Sequence, residues 1–307
     1  MKIVYIAKFD KFYKTGCYVA YAFEKIDVEV IRVSPDVSFT TVQQIIIKHN
    51  PDFVLYGKSM KLPRLIMWLK SKGIPSVFWL YDMAWGDSPV AVANRYHIIS
   101  MDMHKSDLFF STDGGHDNEW RSLGVRNLTL RQGIHKPDNI LVPIDNMDLD
   151  VVFTGFPYFP LRAKMINFLK DKYGKKFLHV EEGLRGLQLN RVVQSAKIVV
   201  ADSYPSPFYW SNRIYEMTGR GGFVIHSDVD GLEQEFNLDL TTNEAGVVTF
   251  KYDDNFEDLG NMIDFYLYNY LSRELIRMNG FNQCPTYDDR IAIIIKYVAK
   301  LRDICKD

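Results

Sequence analysis

Cysteine is scarce: Cys17, Cys284 and Cys305 are the three, and they stand far apart. An odd, scattered set excludes a disulfide framework and a C-x-x-C zinc site, and fits a reducing compartment. No apolar run approaches the roughly 18–20 residues a membrane span needs; the most apolar helical stretch lies within Thr40–His49 and is far shorter. Neither charge is in surplus, since 37 Lys and Arg face 38 Asp and Glu for a net charge of −1. That excludes a strongly basic nucleic-acid coat and a polybasic membrane binder, though not a local basic patch. Short repeats and low-complexity tracts are missing. Met1–Phe9 carries about six apolar residues and no small-residue cleavage signal, so it reads as a strand and not as a secretory leader. What is there is ordinary globular material: 307 residues, 47% hydrophobic and 24% charged. That length predicts two domains.

Strand-like and helix-like segments alternate from the start. Lys2–Ala7, Val28–Val33, Phe53–Tyr56, Ser76–Leu80 and Leu108–Phe110 read as strands. Tyr18–Ile26, Thr40–His49, Pro63–Lys72 and Asp117–Leu123 carry helical spacing. This order predicts a parallel sheet covered on both faces. The pattern pauses over Lys136–Asp150, a stretch with two prolines and no periodicity that reads as a linker. It then restarts with strands Val151–Thr154, Phe177–Val180, Lys197–Val200, Phe223–His226 and Val247–Tyr252. The helices between and after them are Leu161–Lys172, Leu187–Ala196, Trp210–Gly219, a broken Phe256–Asn279 and Tyr287–Asp303. The expected fold class is α/β, with two Rossmann-like domains facing across a ligand cleft. The expected boundaries are 1–143 and 144–287, with the last helix, 288–307, packing back on the first domain.

Chemistry concentrates in Ala201–Phe236. A strand ends in a polar, proline-rich loop, and a helix begins near Trp210–Ser211. Its first turns carry Ser211, Asn212, Arg213 and Glu216, and it stops at Gly219-Arg220-Gly221-Gly222. A helix start with free N–H groups and an arginine suits phosphate. A carboxylate one turn on suits a pair of ribose hydroxyls. The same spacing also fits an ordinary capped helix with an Arg–Glu surface pair. A second turn of this kind is strand Val151–Thr154, Gly155, then a helix with Arg162 in its first turn.

Here the residues resemble known enzymes. NRIYEMTGRGGFVIHSDVDGLEQEF and the helical tail to PTYDDR are similar to the carboxy-terminal domain of CgeB-like (spore maturation) glycosyltransferases, which have the two-domain GT-B fold. FWLYDM (Phe78–Met83), RQGI (Arg131–Ile134) and DVVFTGFPYFPLRAKMINFL (Asp150–Leu169) resemble, in order, segments of the bacteriophage DNA β-glucosyltransferases. The resemblance implies transfer of a sugar from a nucleoside-diphosphate sugar, UDP favoured, to an acceptor hydroxyl. It implies that Glu216 holds the donor ribose, that Arg213 and Arg162 bind the diphosphate, and that Gly155 lets it approach. It places Arg185 in the loop that reads the nucleobase and makes Asp82 the base of an inverting transfer. Asp87 and Asp113 are rival bases. No cofactor and no metal are expected, because arginines can stabilise the leaving diphosphate. The location implied is the cytoplasm of a bacterium or a phage-infected host, and the chain a monomer or small homo-oligomer. Departures exist: Lys8–Gly16 lacks paired glycines, Pro285 replaces a histidine common in CgeB-like chains, and the first Glu of the retaining E-x7-E pattern is missing.

The acceptor side is less defined. Residues 1–100 carry 13 Lys and Arg against 8 Asp and Glu, and the remainder carries 24 against 30. Lys8, Lys11, Lys14, Lys58, Lys61 and Arg64 are the candidate ring around an anionic acceptor such as hydroxymethylated phage DNA. A glycan, a lipid-linked sugar or a protein side chain is equally open. His116, in the polar loop after a strand, is a candidate facing the cleft. His97, His104 and His135 are too scattered for a metal site, and Asp228-x-Asp230 reads as a turn before Gly231. Phe156, Tyr158, Phe159, Phe208, Tyr209 and Trp210 form a candidate aromatic collar for the base of the donor. Two other classes fit the sequence: a nucleotide-sugar epimerase of the same shape, and a non-catalytic sugar-binding or structural protein.

Overall fold

The structure, a computed structural model, describes residues 1–142 and 149–304. Part of the expected linker, the expected boundary after residue 143 and Cys305 lie outside the described residues. The chain divides into two units: residues 1–132 together with the final helix, and Gly133–Thr286.

Unit 1 runs β1 (Lys2–Ile6), α1 (Thr15–Glu24), β2 (Glu29–Val33), α2 (Phe39–His49), β3 (Phe53–Tyr56), α3 (Leu65–Ser71), β4 (Ser76–Leu80), α4 (Pro89–Ser100), β5 (Leu108–Ser111), α5 (Asp117–Ser122) and β6 (Asn127–Thr129). Its six strands are parallel in the order β2-β1-β3-β4-β5-β6. Every residue of β3 and β4 is buried, because side chains alternate between two covered faces. Val54, Tyr56, Phe78 and Leu80 enter one core, while Phe53, Leu55, Val77 and Trp79 enter the other.

Unit 2 runs β7 (Leu149–Thr154), α6 (Pro160–Tyr173), β8 (Phe177–Val180), α7 (Gly186–Ser195), β9 (Ala196–Ala201), α8 (Arg213–Thr218), β10 (Val224–Ser227), β11 (Val248–Phe250), α9 (Glu257–Tyr268) and α10 (Tyr270–Gln283). Its five parallel strands follow the order β11-β10-β9-β7-β8. Counted within each unit, both sheets share the sequence 2-1-3-4-5. The direction of winding therefore reverses between β1 and β3, and again between β7 and β9. The ends of such a strand pair are where open α/β sheets bind ligands.

The final helix, α11 (Tyr287–Ile304), belongs to unit 1. Tyr287, Ile291, Ile294 and Val298 form a stripe at helical spacing, buried with Tyr18, Trp79 and Phe110. The predicted break in Phe256–Asn279 falls at Asn269, between α9 and α10.

Two differences from the sequence expectations bear on the site. Helix α4 has no counterpart among them. Ser88 caps it by accepting from the Ala91 N–H at 3.1 Å, with Pro89 in the first turn. Only Ala91, Asn94 and Ile98 are buried, whereas Val90, Val92 and Tyr96 lie outside, which blurs the apolar period. The helix expected over Trp210–Gly219 is shorter, six residues from Arg213.

Candidate functional site

At the reversal point of the second sheet, β7 hands over to Gly155 and β9 to Asp202. Gly155 has φ +129°, and a Cβ there would collide with the Arg213 guanidinium. Both the backbone conformation and the close approach require glycine. Its N–H donates to the Val180 carbonyl at 2.8 Å, and its carbonyl lies 2.8 Å from His179 Nε2.

Asp202 is fully buried and gathers two arginines. Arg162 Nε donates to its Oδ2 at 2.9 Å, and Arg213 Nη1 donates to its Oδ1 at 3.1 Å. The Tyr252 hydroxyl donates to Oδ2 at 2.6 Å. Arg213 also donates through Nε to the Thr154 carbonyl at 2.6 Å, so it bridges the ends of β7 and β9. Arg162 is 0% exposed, with Tyr158 and Phe159 stacked 4.3 and 4.5 Å from its guanidinium carbon. This corrects the expectation that Arg162 contacts the diphosphate directly, since its charge is turned inward onto Asp202. The Arg213 side chain keeps 14% exposure.

The second carboxylate is Glu216 on α8. Arg220 donates to its Oε2 twice, from Nε at 3.0 Å and Nη2 at 2.8 Å. The buried Arg220 also donates from Nη2 to Asp138 at 2.7 Å and from Nη1 to the Gly186 carbonyl at 3.1 Å and to Asn190 Oδ1. All of its nitrogens are engaged, so Oε2 is fixed. The other oxygen, Oε1, has Asn212 Nδ2 at 3.4 Å. Sequence reasoning passed over Arg220, though its spacing from Glu216 is one helical turn. Its partners Asp138 and Asn190 are distant in the chain and gave no signal.

Of the remaining donor-side residues, Arg185 stands in the expected loop between β8 and α7, and Ser211 precedes α8. Ser211 donates its hydroxyl to the Asp202 carbonyl at 3.1 Å, and its N–H to Ser203 Oγ at 2.8 Å. With α8 only six residues long, the expected anion site at a helix start gives way to side chains. Arg185 is exposed, just ahead of α7, and donates to the Leu184 carbonyl at 2.6 Å. The collar is split: Phe159, Tyr209 and Trp210 are buried, while Phe156, Tyr158 and Phe208 are exposed. Phe208 has φ +54°, a conformation bulky side chains rarely hold. It stands eight residues before Glu216, where E-x7-E places its first acid.

His226 lies in the same neighbourhood, fully buried. Its Nδ1 faces the Ser227 carbonyl at 2.6 Å, and Nε2 faces Ser203 Oγ at 3.3 Å. Nδ1 donates and Nε2 accepts, which is the neutral ring. Burial lowers its pKa from 6.5 to about 4. Between those values the unfolded chain takes up a proton that the native state refuses. Stability is therefore complete above pH 6.5 and lost as pH falls toward 4, by about 3 kcal/mol. His226→Gln is expected to flatten the fall in melting temperature between pH 6.5 and 4.5; an unchanged slope would contradict the assignment.

In unit 1, Asp82 follows β4 and pairs with Lys58, which follows β3. Its side chain keeps 39% exposure. The loop beyond it is pinned by α4, since Asn94 Nδ2 donates to the Met83 carbonyl at 2.8 Å and Arg95 to that of Ala84 at 3.2 Å. Asp113, fully buried, accepts the N–H groups of Ala84 and Trp85, each at 3.3 Å. Burial raises its pKa, partly offset by His116. Asp113 thus supports the loop that carries Asp82. His116 lies between Asp113 Oδ1 at 3.7 Å and Glu119 Oε1 at 3.2 Å. Lys8 and Lys11 are exposed on the β1–α1 connection. The expected basic ring is partly neutralised: Lys58 pairs with Asp82, and Lys61 with Asp36 at 2.8 Å. Among the described residues, no cluster of three or more His, Cys, Asp or Glu is arranged to hold a metal. No helix there is long and apolar enough to cross a membrane.

Residues 146–296 match the family model described as glycosyl transferase-like. No curated protein matches the sequence. Among solved structures, the chain is similar to HepE of Anabaena in complex with UDP and glucose, at TM-score 0.64 and 11% identity, covering 99% of this chain and 100% of that one. It is similar to sucrose-phosphate synthase of Thermosynechococcus elongatus at TM-score 0.67 and 10% identity, covering 99% of each. A glycosyltransferase of Rickettsia africae matches at TM-score 0.60 and 11% identity, over 97% of this chain and 98% of that one. Residues 146–296 therefore resemble glycosyl transferase-like domains, in a chain with the fold of GT-B glycosyltransferases.

Proposed function

We propose that the protein transfers a sugar from a UDP-sugar to an acceptor hydroxyl, with inversion and without a metal. The observation that carries this reading is the pairing of Arg213 and Glu216 on one short helix at the reversal point of the second sheet. The guanidinium is held against the glycine turn after β7, and the carboxylate has one oxygen fixed and the other lightly engaged. A nucleoside diphosphate presents the complementary groups, phosphate oxygens and a ribose diol. The complexes of HepE with UDP and with UDP-glucose support UDP as the nucleotide.

In the proposed reaction the acceptor oxygen attacks the anomeric carbon, and the bond from that carbon to the β-phosphate oxygen breaks. UDP leaves with added negative charge, which Arg213 stabilises. The acceptor proton passes to Asp82. Arg185 is assigned to the nucleobase side, and Lys8, Lys11 and His116 to the acceptor side. Hydroxymethylated DNA is the acceptor class proposed first.

The test incubates the full chain with radiolabelled UDP-hexoses and EDTA. Hydroxymethylated DNA, unmodified DNA, an oligosaccharide and a peptide are offered in turn. Label on hydroxymethylated DNA alone is the expected result. Label on another acceptor would replace the acceptor and keep the reaction. Interconversion of the sugars would mark an epimerase, and an inert donor a non-catalytic protein.

A further inference from the structure

We propose that Asp202 is a positioning residue for the donor's diphosphate. On this view, Arg162 and Tyr252 act through Asp202 to hold Arg213 as the guanidinium offered to the ligand. The proposal rests on the donor reading above and adds to it which residues set the geometry of the anion site.

Three observations carry it. First, one buried carboxylate meets two guanidiniums, with Arg162 on Oδ2 at 2.9 Å and Arg213 on Oδ1 at 3.1 Å. One positive charge is left uncompensated by this carboxylate, and an anion restores the balance. Second, the surplus is directed. Arg162 lies under the rings of Tyr158 and Phe159 and donates to Asp202 and the Phe156 carbonyl, and it is 0% exposed, so it presents no surface. Arg213 is fixed at Nε by the Thr154 carbonyl and at Nη1 by the Asp202 carbonyl and carboxylate, at 2.6, 2.9 and 3.1 Å. Its Nη2 is the nitrogen that packs against Gly155, where an added Cβ would collide with it. Third, the Tyr252 hydroxyl donates to the same Oδ2 that Arg162 uses, at 2.6 Å, and keeps the carboxylate from rotating. Burial and the neighbouring Asp202 raise the Tyr252 pKa, so the phenol stays a donor. The four residues come from α6, α8 and the ends of β9 and β11, which meet only when the unit is folded.

The experiment measures calorimetric dissociation constants for UDP and for uridine on the wild type, Asp202→Asn and Tyr252→Phe. Uridine reports the ribose and base contacts, and UDP adds the diphosphate. Asp202→Asn is expected to reduce the preference for UDP over uridine by about 10-fold or more, the scale of one charge-assisted contact. Uridine binding should change by less than about 2-fold. Tyr252→Phe should reduce the same preference by a few-fold, and it decides the matter if Asp202→Asn does not fold. A preference that is unchanged, with both ligands weakened together, would show a merely structural role and overturn the proposal. Tighter UDP binding by Asp202→Asn would overturn it as well, because charge alone would then dominate. A wild type that binds no UDP would instead refute the donor reading itself.

Discussion

Glu216→Ala is expected to weaken UDP binding by about 100-fold or more, the scale of two hydrogen bonds from a charged carboxylate to a ribose diol. It is also expected to lower the melting temperature. The two effects share one cause. Arg220 is 1% exposed and spends two of its donors on Glu216 Oε2. Removing the carboxylate leaves that guanidinium with Asp138 as its remaining ion-pair partner. Breaking a buried pair from one side costs about 3–5 kcal/mol. Glu216→Gln separates the two consequences, because it retains an acceptor of the same shape and removes the charge. It should bind UDP about 10-fold more weakly and keep more of the stability. Calorimetry and thermal unfolding of both variants provide the check. Undiminished UDP affinity in Glu216→Ala would remove Glu216 from the donor site.

Asp82→Asn is expected to lower kcat by about 10²–10⁴-fold, the usual contribution of a positioned base, with the KM for the UDP-sugar little changed. Asparagine preserves the size of the side chain and its contact with Lys58, but it cannot take the acceptor proton. The loop should remain in place, since Asn94 and Asp113 hold it through the backbone of Met83, Ala84 and Trp85. Steady-state transfer kinetics measure the split. A full rate in Asp82→Asn would place the base elsewhere. Loss of donor affinity with kcat retained would make Asp82 a binding group.

Much of the fold was legible because buried parallel strands are short, continuous apolar runs. Phe53–Tyr56 and Ser76–Leu80, buried throughout, have the same limits in sequence and structure, as does the half-buried edge strand Phe177–Val180. The periodic stripe of α11 was equally clear. Helix α4 was hidden because its buried face is only three residues, one of them Asn94, while Val90, Val92, Tyr96 and Ile99 are exposed. Within the site, residue types at the strand ends were readable, but their burial was not. Arg162 has the same position in its helix whether it faces a ligand or Asp202; only the packing of Tyr158 and Phe159 decides. Asp202 and Arg220 were missed for a related reason. Their partners lie up to 50 residues away for Asp202 and 82 for Arg220, and spacing along the chain carries no trace of such contacts.

Central to the proposed reaction is a metal-independent UDP site in residues 133–286. Its most direct test is a calorimetric titration of the wild-type protein with UDP, GDP, ADP and CDP in the presence of EDTA. Saturable binding of UDP at one site is expected, tighter than the other three and unchanged when EDTA is replaced by a divalent cation. Absence of binding by every nucleotide, or binding of UDP only with the metal, would contradict it.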